Sequence, residues 1–409
     1  MEPWRHRIPT ATTVAWLAVC AAGAAGEPDA YAVSRRQMVE DHLAREGITD
    51  ERVLDAMRTV PRHLFVKPEH LRAAYFDQAL DIGHKQTISP PFIVAYMTQV
   101  LDPQPTDRIL EIGTGSGYQA AVLAELGAEV YTIEIVEPLG EAAAATLRGL
   151  GYDRVHARVG DGFLGWPEHA PFDKIIVTCS PERVPPPLVE QLADGGRLIV
   201  PLGERYQQVF HVLEKRAGRL VDVALMPTLF VPMTGASEAE RRVQPDPRHP
   251  GIVNGGFERS TVESGKADGW HYQRRSRLVE GNAPEGRRFL EFSNADPGRS
   301  AHMLQGMAID GRSIGAVEVS LEMRLADVGT GTRPQEAAGL VVHFFDSRRA
   351  YLGSRSLGPW SADVPAWTTV SGRLEVPADA AEAIVQAGLN GATGTLALDD
   401  LRLVPQARD

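Results

Sequence analysis

The sequence predicts an α/β domain built on a mostly parallel sheet, followed by a separate all-β domain. From residue 108 onward, short apolar segments alternate with helix-like segments, as expected for strands joined by helices. Beyond residue 250 only short β-prone stretches occur, divided by Gly, Asp and Pro. Residues 236–250 are polar and proline-bearing, which is typical of a linker. A chain of 409 residues suits two or three domains at about 150 residues each.

Composition and charge narrow the class of protein. The formal net charge is −11, so a surface made for gripping nucleic acid is disfavoured and we predict no nucleic-acid partner. With 43% hydrophobic and 23% charged residues, the chain can bury a core. It contains 2 cysteines, Cys20 and Cys179, too few for a disulfide framework or a cysteine-rich zinc site.

The first residues have the layout of a signal peptide. Arg5 and Arg7 precede an uncharged stretch, residues 8–26, that is rich in Ala and Gly. We therefore predict a signal peptide over residues 1–26, no transmembrane span, and export to the periplasm or outside the cell. Two alternatives are lipid attachment at Cys20 and an uncleaved extension of a cytoplasmic protein.

Two helices are predicted before the α/β series begins. Ser34 and Gln37 have capping-box spacing, which predicts a helix start at Ser34. Asp50 is placed to cap a second helix, which Pro61 ends.

The α/β series follows in regular order. Predicted strands cover residues 108–112, 130–135, 155–159, 174–179 and 197–202, and predicted helices cover 119–126, 138–149 and 187–193. The strands lack polar alternation, which indicates a parallel sheet buried on both faces. Residues 208–216 and 220–233 have no helix between them, so they are expected to close the sheet as antiparallel strands.

A glycine-rich loop after the first strand predicts a cofactor site. Gly113, Gly115 and Gly117 let the backbone turn sharply and approach a ligand. Tyr118 stands where a dinucleotide fingerprint has its third glycine, and no phosphate-loop Gly-Lys follows, so NAD and ATP fit poorly. Glu134 is in the next predicted strand, near its end, where a carboxylate can accept hydrogen bonds from ribose hydroxyls.

These features favour S-adenosylmethionine, an adenosine cofactor without phosphate. An ordinary tight turn with solvated strand-end acids is the alternative. The predicted cofactor-binding residues are Glu111, Gly113, Thr114, Gly115, Ser116, Gly117, Glu134, Asp161 and Gly162.

Half of the chain, residues 34–235, resembles the protein-L-isoaspartate O-methyltransferase family. The resemblance rests on the segments VPRHLFV (60–66), YFDQALDIGHKQTISPP (75–91), ILEIGTGSGYQAAVLA (109–124), VGDG (159–162), PFDKIIVT (171–178) and LFVPM (229–233). It implies a Rossmann-like S-adenosylmethionine-dependent methyltransferase sheet. It also implies methyl esterification of the free α-carboxyl of L-isoaspartyl residues in damaged proteins, with D-aspartyl residues as a further candidate substrate.

The resemblance implies Ser89 as the active-site residue, and we add Thr87, Ile88 and His84 as candidate substrate contacts. A carboxylate is already ionised at neutral pH, so it can attack a sulfonium methyl without a general base. A hydroxyl such as that of Ser89 or Thr87 can hold it in line. Without the resemblance, both would be interpreted as turn residues before two prolines. We predict no catalytic metal. Asp81 stands where the family usually has Pro, and this difference could alter the substrate entrance.

The C-terminal residues 251–405 are predicted to form a jelly-roll β-sandwich. The segments NGGFE (254–258) and GTLALDDLRLVP (394–405) resemble carbohydrate-binding modules of the galactose-binding type. Candidate sugar-stacking aromatics, for which core packing is the alternative, are Trp270, Tyr272, Tyr351, Trp360 and Trp367. Glu258 and Asp399 are candidate calcium ligands or else surface acids. A carbohydrate or envelope ligand is expected.

The sequence thus favours a repair methyltransferase acting on isoaspartyl proteins. One alternative is a carboxyl methyltransferase for another acceptor. The other is a non-catalytic envelope-binding or carbohydrate-binding protein.

Overall fold

The computed structural model describes residues 30–262 and 264–408, which form an α/β domain and a β-sandwich. The predicted signal peptide and Cys20 lie outside the described residues. Among the residues described, we find no helix with the length and apolar character needed to cross a bilayer.

Packing, not a capping box, fixes the first helix. Helix α1 (Ala32–Gln37) has Tyr31 as its N-cap, without a side-chain capping bond, so the predicted start at Ser34 is wrong. The Tyr31 ring stacks on His63 with centroids 4.2 Å apart, which anchors the helix start to the domain. A π-helical turn (Met38–Leu43) and a 3₁₀ turn (Ala44–Glu46) follow.

The second predicted helix is confirmed. In α2 (Glu51–Thr59), the Asp50 side chain accepts the Arg52 N–H at 2.9 Å, which satisfies one of the free donors at the helix start. Two 3₁₀ turns (Arg62–Phe65 and Pro68–Ala73) then lead to a short hairpin.

The hairpin and helix that carry the QTIS segment were not predicted. The hairpin consists of β1 (Leu80–Gly83) and β2 (Gln86–Ile88), and α3 (Pro91–Leu101) follows directly. Most residues of α3 are buried, so its sequence is apolar on nearly every side and lacks the amphipathic period that marks a surface helix.

The predicted parallel sheet is confirmed, with two antiparallel strands at one edge. Its strands are β3 (Arg108–Ile112), β4 (Glu129–Glu134), β5 (Val155–Val159), β6 (Phe172–Val177), β7 (Leu192–Glu204), β8 (Gln207–Arg216) and β9 (Arg219–Thr228). The strand order is β5-β4-β3-β6-β7-β8-β9. Helices α4 (Tyr118–Glu125), α5 (Glu137–Gly149) and α6 (Pro186–Gln191) connect the parallel strands.

The strand order creates a crevice at the carboxyl end of β3. The chain runs from β3 outward to β4 and β5, then returns on the other side of β3 as β6. Connections after β3 and β6 therefore leave in opposite directions, and the gap between them is where open α/β sheets bind ligands.

The predicted linker is packed against the α/β domain along part of its length. It contains the short helix α7 (Ala236–Ala239), followed by the buried Arg241. The Arg241 guanidinium bonds Glu238 Oε2 and the Ser180 carbonyl, each at 2.9 Å. The polar residues of this segment therefore include a buried ion pair as well as exposed side chains.

The C-terminal domain is all-β, as predicted. Its strands are β10 (Ser276–Glu280), β11 (Arg288–Asn294), β12 (His302–Ala308), β13 (Ile314–Gly329), β14 (Ala338–Phe345), β15 (Tyr351–Trp360), β16 (Val364–Glu375), β17 (Glu382–Gly388) and β18 (Thr393–Ala407). A five-stranded sheet, β10-β11-β18-β13-β16, packs on a four-stranded sheet, β12-β17-β14-β15. Neighbouring strands within each of these sheets pair antiparallel.

Candidate active site

The glycine loop lies in the crevice at the end of β3. Gly113 has φ +96°, and a Cβ there would lie 2.5 Å from Thr178 Oγ1 at the end of β6. Any larger residue would therefore push the loop away from β6 as well as strain its backbone. Gly117 ends the loop as the N-cap of α4 with φ +89°.

Glu134 fixes the loop from the neighbouring strand. Its Oε2 accepts the Gly115 N–H at 2.8 Å, and its Oε1 accepts the Val136 N–H at 2.9 Å. The side chain is 5% exposed, and it lines the cavity above the loop. Each carboxylate oxygen keeps a second lone pair, so Glu134 can hold the loop and still accept hydrogen bonds from the hydroxyls of a ligand.

The charges of this cavity match a cationic ligand without phosphate. It is lined by residues from the ends of β3, β4 and β6, together with Gln86–Ser89 and Val231–Thr234. Over the described residues, Glu134 is the one ionisable carboxylate in the lining, which contains no Lys, Arg or His. Cationic side chains are frequent partners of phosphate groups. The residues present therefore fit S-adenosylmethionine, whose sulfonium is positive, better than a nucleotide phosphate.

Glu111 lies beneath the cavity rather than in its wall. It is fully buried, and its Oε2 accepts the Thr132 hydroxyl at 2.6 Å. The Thr132 and Thr114 hydroxyl oxygens are also 2.6 Å apart, and Thr114 lines the cavity. Glu111 therefore reaches the cofactor cavity through two threonines. Its predicted direct contact with the cofactor stays a prediction.

Burial makes Glu111 a pH-sensitive group. Loss of solvation raises its pKa to about 8, the Thr132 hydrogen bond opposes this, and the negative charge of Glu134 adds to it. Because the folded pKa lies above the ordinary value of 4.5, stability from this group is complete at low pH and is lost as pH rises through about 8.

We expect the wild type to lose a few kcal/mol of its free energy of unfolding as the pH is raised from about 5 to about 8, whereas Glu111→Gln should not, because an amide does not ionise. Urea unfolding at both pH values measures this difference. Equal shifts at the two pH values would contradict a buried, protonatable Glu111.

Thr87 and Ser89 lie where two cavities meet. Both residues line the cofactor cavity and a second, larger cavity on the other side. In the described part of the chain, neither hydroxyl has a hydrogen bond to another protein group. Both hydroxyls are therefore available to a ligand, and their predicted roles in catalysis and substrate binding stay predictions. Ile88 between them is buried and lines the cofactor cavity alone.

A buried arginine, which the sequence analysis did not single out, positions this segment. Arg62 is fully buried and donates to the Ser89 carbonyl at 2.7 Å and to the Ala74 carbonyl at 2.8 Å. Its guanidinium lies 4.8 Å from the centre of the Tyr118 ring at the start of α4. Arg62 thus connects the QTIS segment to the helix that follows the glycine loop. The resemblance segment VPRHLFV contained this residue without indicating its role.

Some predicted site residues lie elsewhere. His84 is in the hairpin turn, with φ +52°, and lines neither cavity. Asp161 accepts the Phe163 and Ala236 N–H groups, and its neighbour Gly162 lines the cofactor cavity. Asp81 pairs with Lys67 and also lines neither cavity. The binding roles of His84 and Asp161 stay predictions.

Further lining residues come from α3, from the residues that follow β6 and from the 231–234 segment. Thr178 and Cys179 follow β6, and burial raises the pKa of the Cys179 thiol, so the thiol is neutral. Val231 lines both cavities and accepts the Ser180 N–H at 2.8 Å. LFVPM was part of the resemblance, but only the tertiary fold shows that it crosses the site.

Comparisons with known proteins cover the α/β domain. Residues 34–238 match the family described as protein-L-isoaspartate(D-aspartate) O-methyltransferase. A protein-L-isoaspartate O-methyltransferase of Opitutus terrae is 59% identical over 201 residues, which are 49% of this chain and 86% of that protein. A protein-L-isoaspartate O-methyltransferase of Gloeobacter violaceus is 55% identical over 198 residues, which are 48% of this chain and 97% of that protein.

A solved structure named protein-L-isoaspartate O-methyltransferase is 26% identical, with a TM-score of 0.47, covering 66% of this chain and 84% of that one. The family match confirms the predicted fold class, the S-adenosylmethionine cofactor and the methylation of isoaspartyl residues. The chain belongs to the protein-L-isoaspartate(D-aspartate) O-methyltransferase family.

Proposed function

We propose that Thr87 and Ser89 hold the α-carboxylate of an isoaspartyl residue at the junction of the two cavities, where it receives the methyl group. The observation that carries this proposal is that both residues line both cavities. When bound, S-adenosylmethionine supplies an electrophilic methyl group on a sulfonium sulfur. A new bond joins that methyl to a carboxylate oxygen while its bond to sulfur breaks.

The chain's own residues position the acceptor. The Thr87 and Ser89 hydroxyls donate to one carboxylate oxygen, which leaves the other free to attack. Arg62 holds the Ser89 carbonyl, so the hydroxyl-bearing segment keeps its place during approach. No general base is needed, because the acceptor is ionised at neutral pH. Positioning of this kind lowers the barrier by several kcal/mol.

The acceptor is tested with labelled S-adenosylmethionine and two matched peptides, one isoaspartyl and one with normal aspartate. We expect base-labile label on the isoaspartyl peptide alone. Label on both peptides, or on the normal peptide alone, would favour a carboxyl methyltransferase for another acceptor. No label on either would leave the non-catalytic alternative.

The two hydroxyls are tested by substitution. We expect Ser89→Ala and Thr87→Val each to lower kcat/KM for the isoaspartyl peptide about tenfold, since each removes one hydrogen bond to a charged group. The dissociation constant of S-adenosylmethionine should stay the same. Thr146→Val, in α5 and outside both cavities, is the control. Unchanged kcat/KM in both site variants would contradict the assigned roles.

For the C-terminal domain we propose a non-catalytic binding module. The NGGFE and LDDLRL segments and the sandwich topology support this proposal. Of the candidate sugar-stacking aromatics, Trp270 is fully buried and Trp367 donates its indole N–H to the Asn282 carbonyl. Tyr351 is 58% exposed, so a sugar platform would be built on it. Retention on immobilised envelope polysaccharide, lost in Tyr351→Ala, tests a carbohydrate ligand.

The carboxylates of the two candidate calcium ligands accept hydrogen bonds from backbone N–H groups. Glu258 Oε1 accepts the Arg287 and Arg288 N–H groups, and Asp399 Oδ2 accepts that of Glu285. Within residues 30–262 and 264–408, no cluster of three or more His, Cys, Asp or Glu is placed to hold a metal ion. These acids therefore organise loops of the sandwich.

We also propose export through the N-terminal signal peptide, supported by Arg5, Arg7 and the uncharged stretch that follows. Sequencing the mature N-terminus from separated cell fractions tests this. A start near residue 26 in the envelope or medium supports export, and an intact Met1 in the cytosol contradicts it.

A further inference from the structure

The second cavity lies between the two domains. Its volume is about 590 Å³, within the range of about 300–1,000 Å³ usual for ligand pockets. The α/β domain contributes Phe76–Ala79, the Thr87–Ser89 region and Leu229–Val231. The β-sandwich contributes the opposite wall. An acceptor held at Ser89 would therefore extend into space that the sandwich encloses.

The sandwich wall is the outer face of its four-stranded sheet. Along β17, Ala383, Val385 and Ala387 are in the sandwich core, whereas Ile384 and Gln386 line the cavity. Successive side chains of a strand point to opposite faces, so this alternation identifies the face. In β12, His302 and Leu304 line the cavity in the same way.

An ion cluster attaches the domains near α3. Glu46, which is 14% exposed, pairs with Arg275 and with Arg299, the latter at 2.8 Å. The Arg274 guanidinium bonds Asp77 at 2.9 Å and lies 3.7 Å from the centre of the Phe92 ring. Loss of Glu46 would remove a carboxylate from two part-buried arginines at once, so this attachment depends on a specific side chain.

A second attachment lies on the hairpin between β7 and β8. The Tyr206 hydroxyl donates to Glu382 Oε2 at 3.2 Å, and His271 Nε2 is 2.9 Å from the Tyr206 carbonyl. Burial lowers the pKa of His271 to about 4, so the ring is neutral and its Nε2–H donates to that carbonyl. Glu382 precedes Ile384 on the same strand face, so this bond sets the position of the cavity wall.

The cavity surface suits a polypeptide of varied sequence. The charged lining side chains are Asp77, Glu336, Arg333 and Arg349, whose formal charges cancel. Burial lowers the pKa of His302 to about 4, so it is neutral as well. Amide side chains, which pair with peptide groups, alternate with apolar ones; the amides are Gln78, Gln335, Gln386 and Asn390.

One contact crosses the cavity. The Arg333 guanidinium of the sandwich lies 5.3 Å from the centre of the Phe76 ring of the α/β domain. Phe76 is 43% exposed, although large apolar side chains are usually buried. Both residues line the cavity, so an occupant would cover the exposed ring.

We propose that the outer face of the four-stranded sheet binds the polypeptide segment that flanks the isoaspartyl residue. The sandwich is then a substrate-specificity element that contacts residues flanking the isoaspartyl group. This inference rests on the proposed function at Thr87 and Ser89.

The test compares short and long isoaspartyl peptides in the full chain. A peptide of about ten residues reaches roughly 33 Å when extended, whereas one of about three residues stays near Ser89. In Ile384→Trp, the larger indole projects from β17 into the cavity and occupies part of it. We expect KM for the long peptide to rise roughly tenfold, which corresponds to about 1.4 kcal/mol of lost binding. KM for the short peptide and affinity for S-adenosylmethionine should not change.

Controls separate this inference from the function on which it rests. Ser371→Trp places the same side chain on an exposed position of the other sheet and should leave both peptides unaffected. Gln386→Ala, which removes an amide without adding bulk, should raise KM for the long peptide alone. Equal KM changes for both peptides, or none in either variant, would overturn the inference. A wild type that methylates no isoaspartyl peptide would instead overturn the proposed function.

Discussion

Glu134→Gln is expected to weaken S-adenosylmethionine binding roughly 30- to 100-fold, or about 2–3 kcal/mol. The substitution removes the one ionisable carboxylate among the described lining residues of the cofactor cavity. It also replaces one of the two oxygens that hold the Gly115 and Val136 N–H groups with a donor. The negative charge of the cavity lining and the hydrogen bonds that hold the loop are therefore lost together.

Isothermal titration calorimetry measures this directly, without reliance on turnover. Glu137→Gln, an exposed glutamate at the start of α5, is the matched control and should bind like the wild type. Equal affinities in the wild type and Glu134→Gln would show that the cofactor does not use Glu134.

Arg62→Met is expected to lower kcat roughly 100-fold, because it frees the segment that presents Ser89 and small misplacements of reacting groups are that costly. The substitution leaves the Ala74 and Ser89 carbonyls without their donor. Each orphaned group costs about 1–3 kcal/mol, and relief from burying a cation offsets part of this. We therefore expect the free energy of unfolding to fall by about 1–3 kcal/mol.

A positioning role predicts that kcat falls while the affinity for the cofactor is kept, so both quantities are measured. S-adenosylmethionine affinity should stay within about twofold, while kcat falls. Arg72→Met, on an exposed residue of the neighbouring 3₁₀ turn, is the control. A variant that lost only stability, with kcat preserved in the folded fraction, would contradict this role.

The parallel sheet and the glycine loop were predictable because local patterns specify them. Strands such as 108–112 are short, apolar and bounded by turns, and this pattern predicts a strand that is buried on both faces of the sheet. The capping-box prediction at Ser34 failed because stacking of Tyr31 on His63 competes with it. Helix α3 was missed because burial on nearly all sides removes its amphipathic period.

The rest of the site depends on tertiary contacts. Arginine is rarely buried, so nothing in VPRHLFV distinguishes Arg62 from a surface charge. No local pattern marks strand β12, because HMLQGMA has no β-branched residue, yet this strand brings Leu304 to the wall of the second cavity. Contacts between Glu46 and arginines more than two hundred residues away carry no local signal.

The site of the methyl group on a single peptide tests the central claim most directly. The peptide should contain one isoaspartyl residue, one normal aspartate and a free C-terminus, so that three kinds of carboxyl compete. Tandem mass spectrometry after a brief reaction locates the ester. We predict it on the isoaspartyl α-carboxyl alone. An ester on the normal aspartate or the C-terminal carboxyl would contradict isoaspartyl recognition at Thr87 and Ser89.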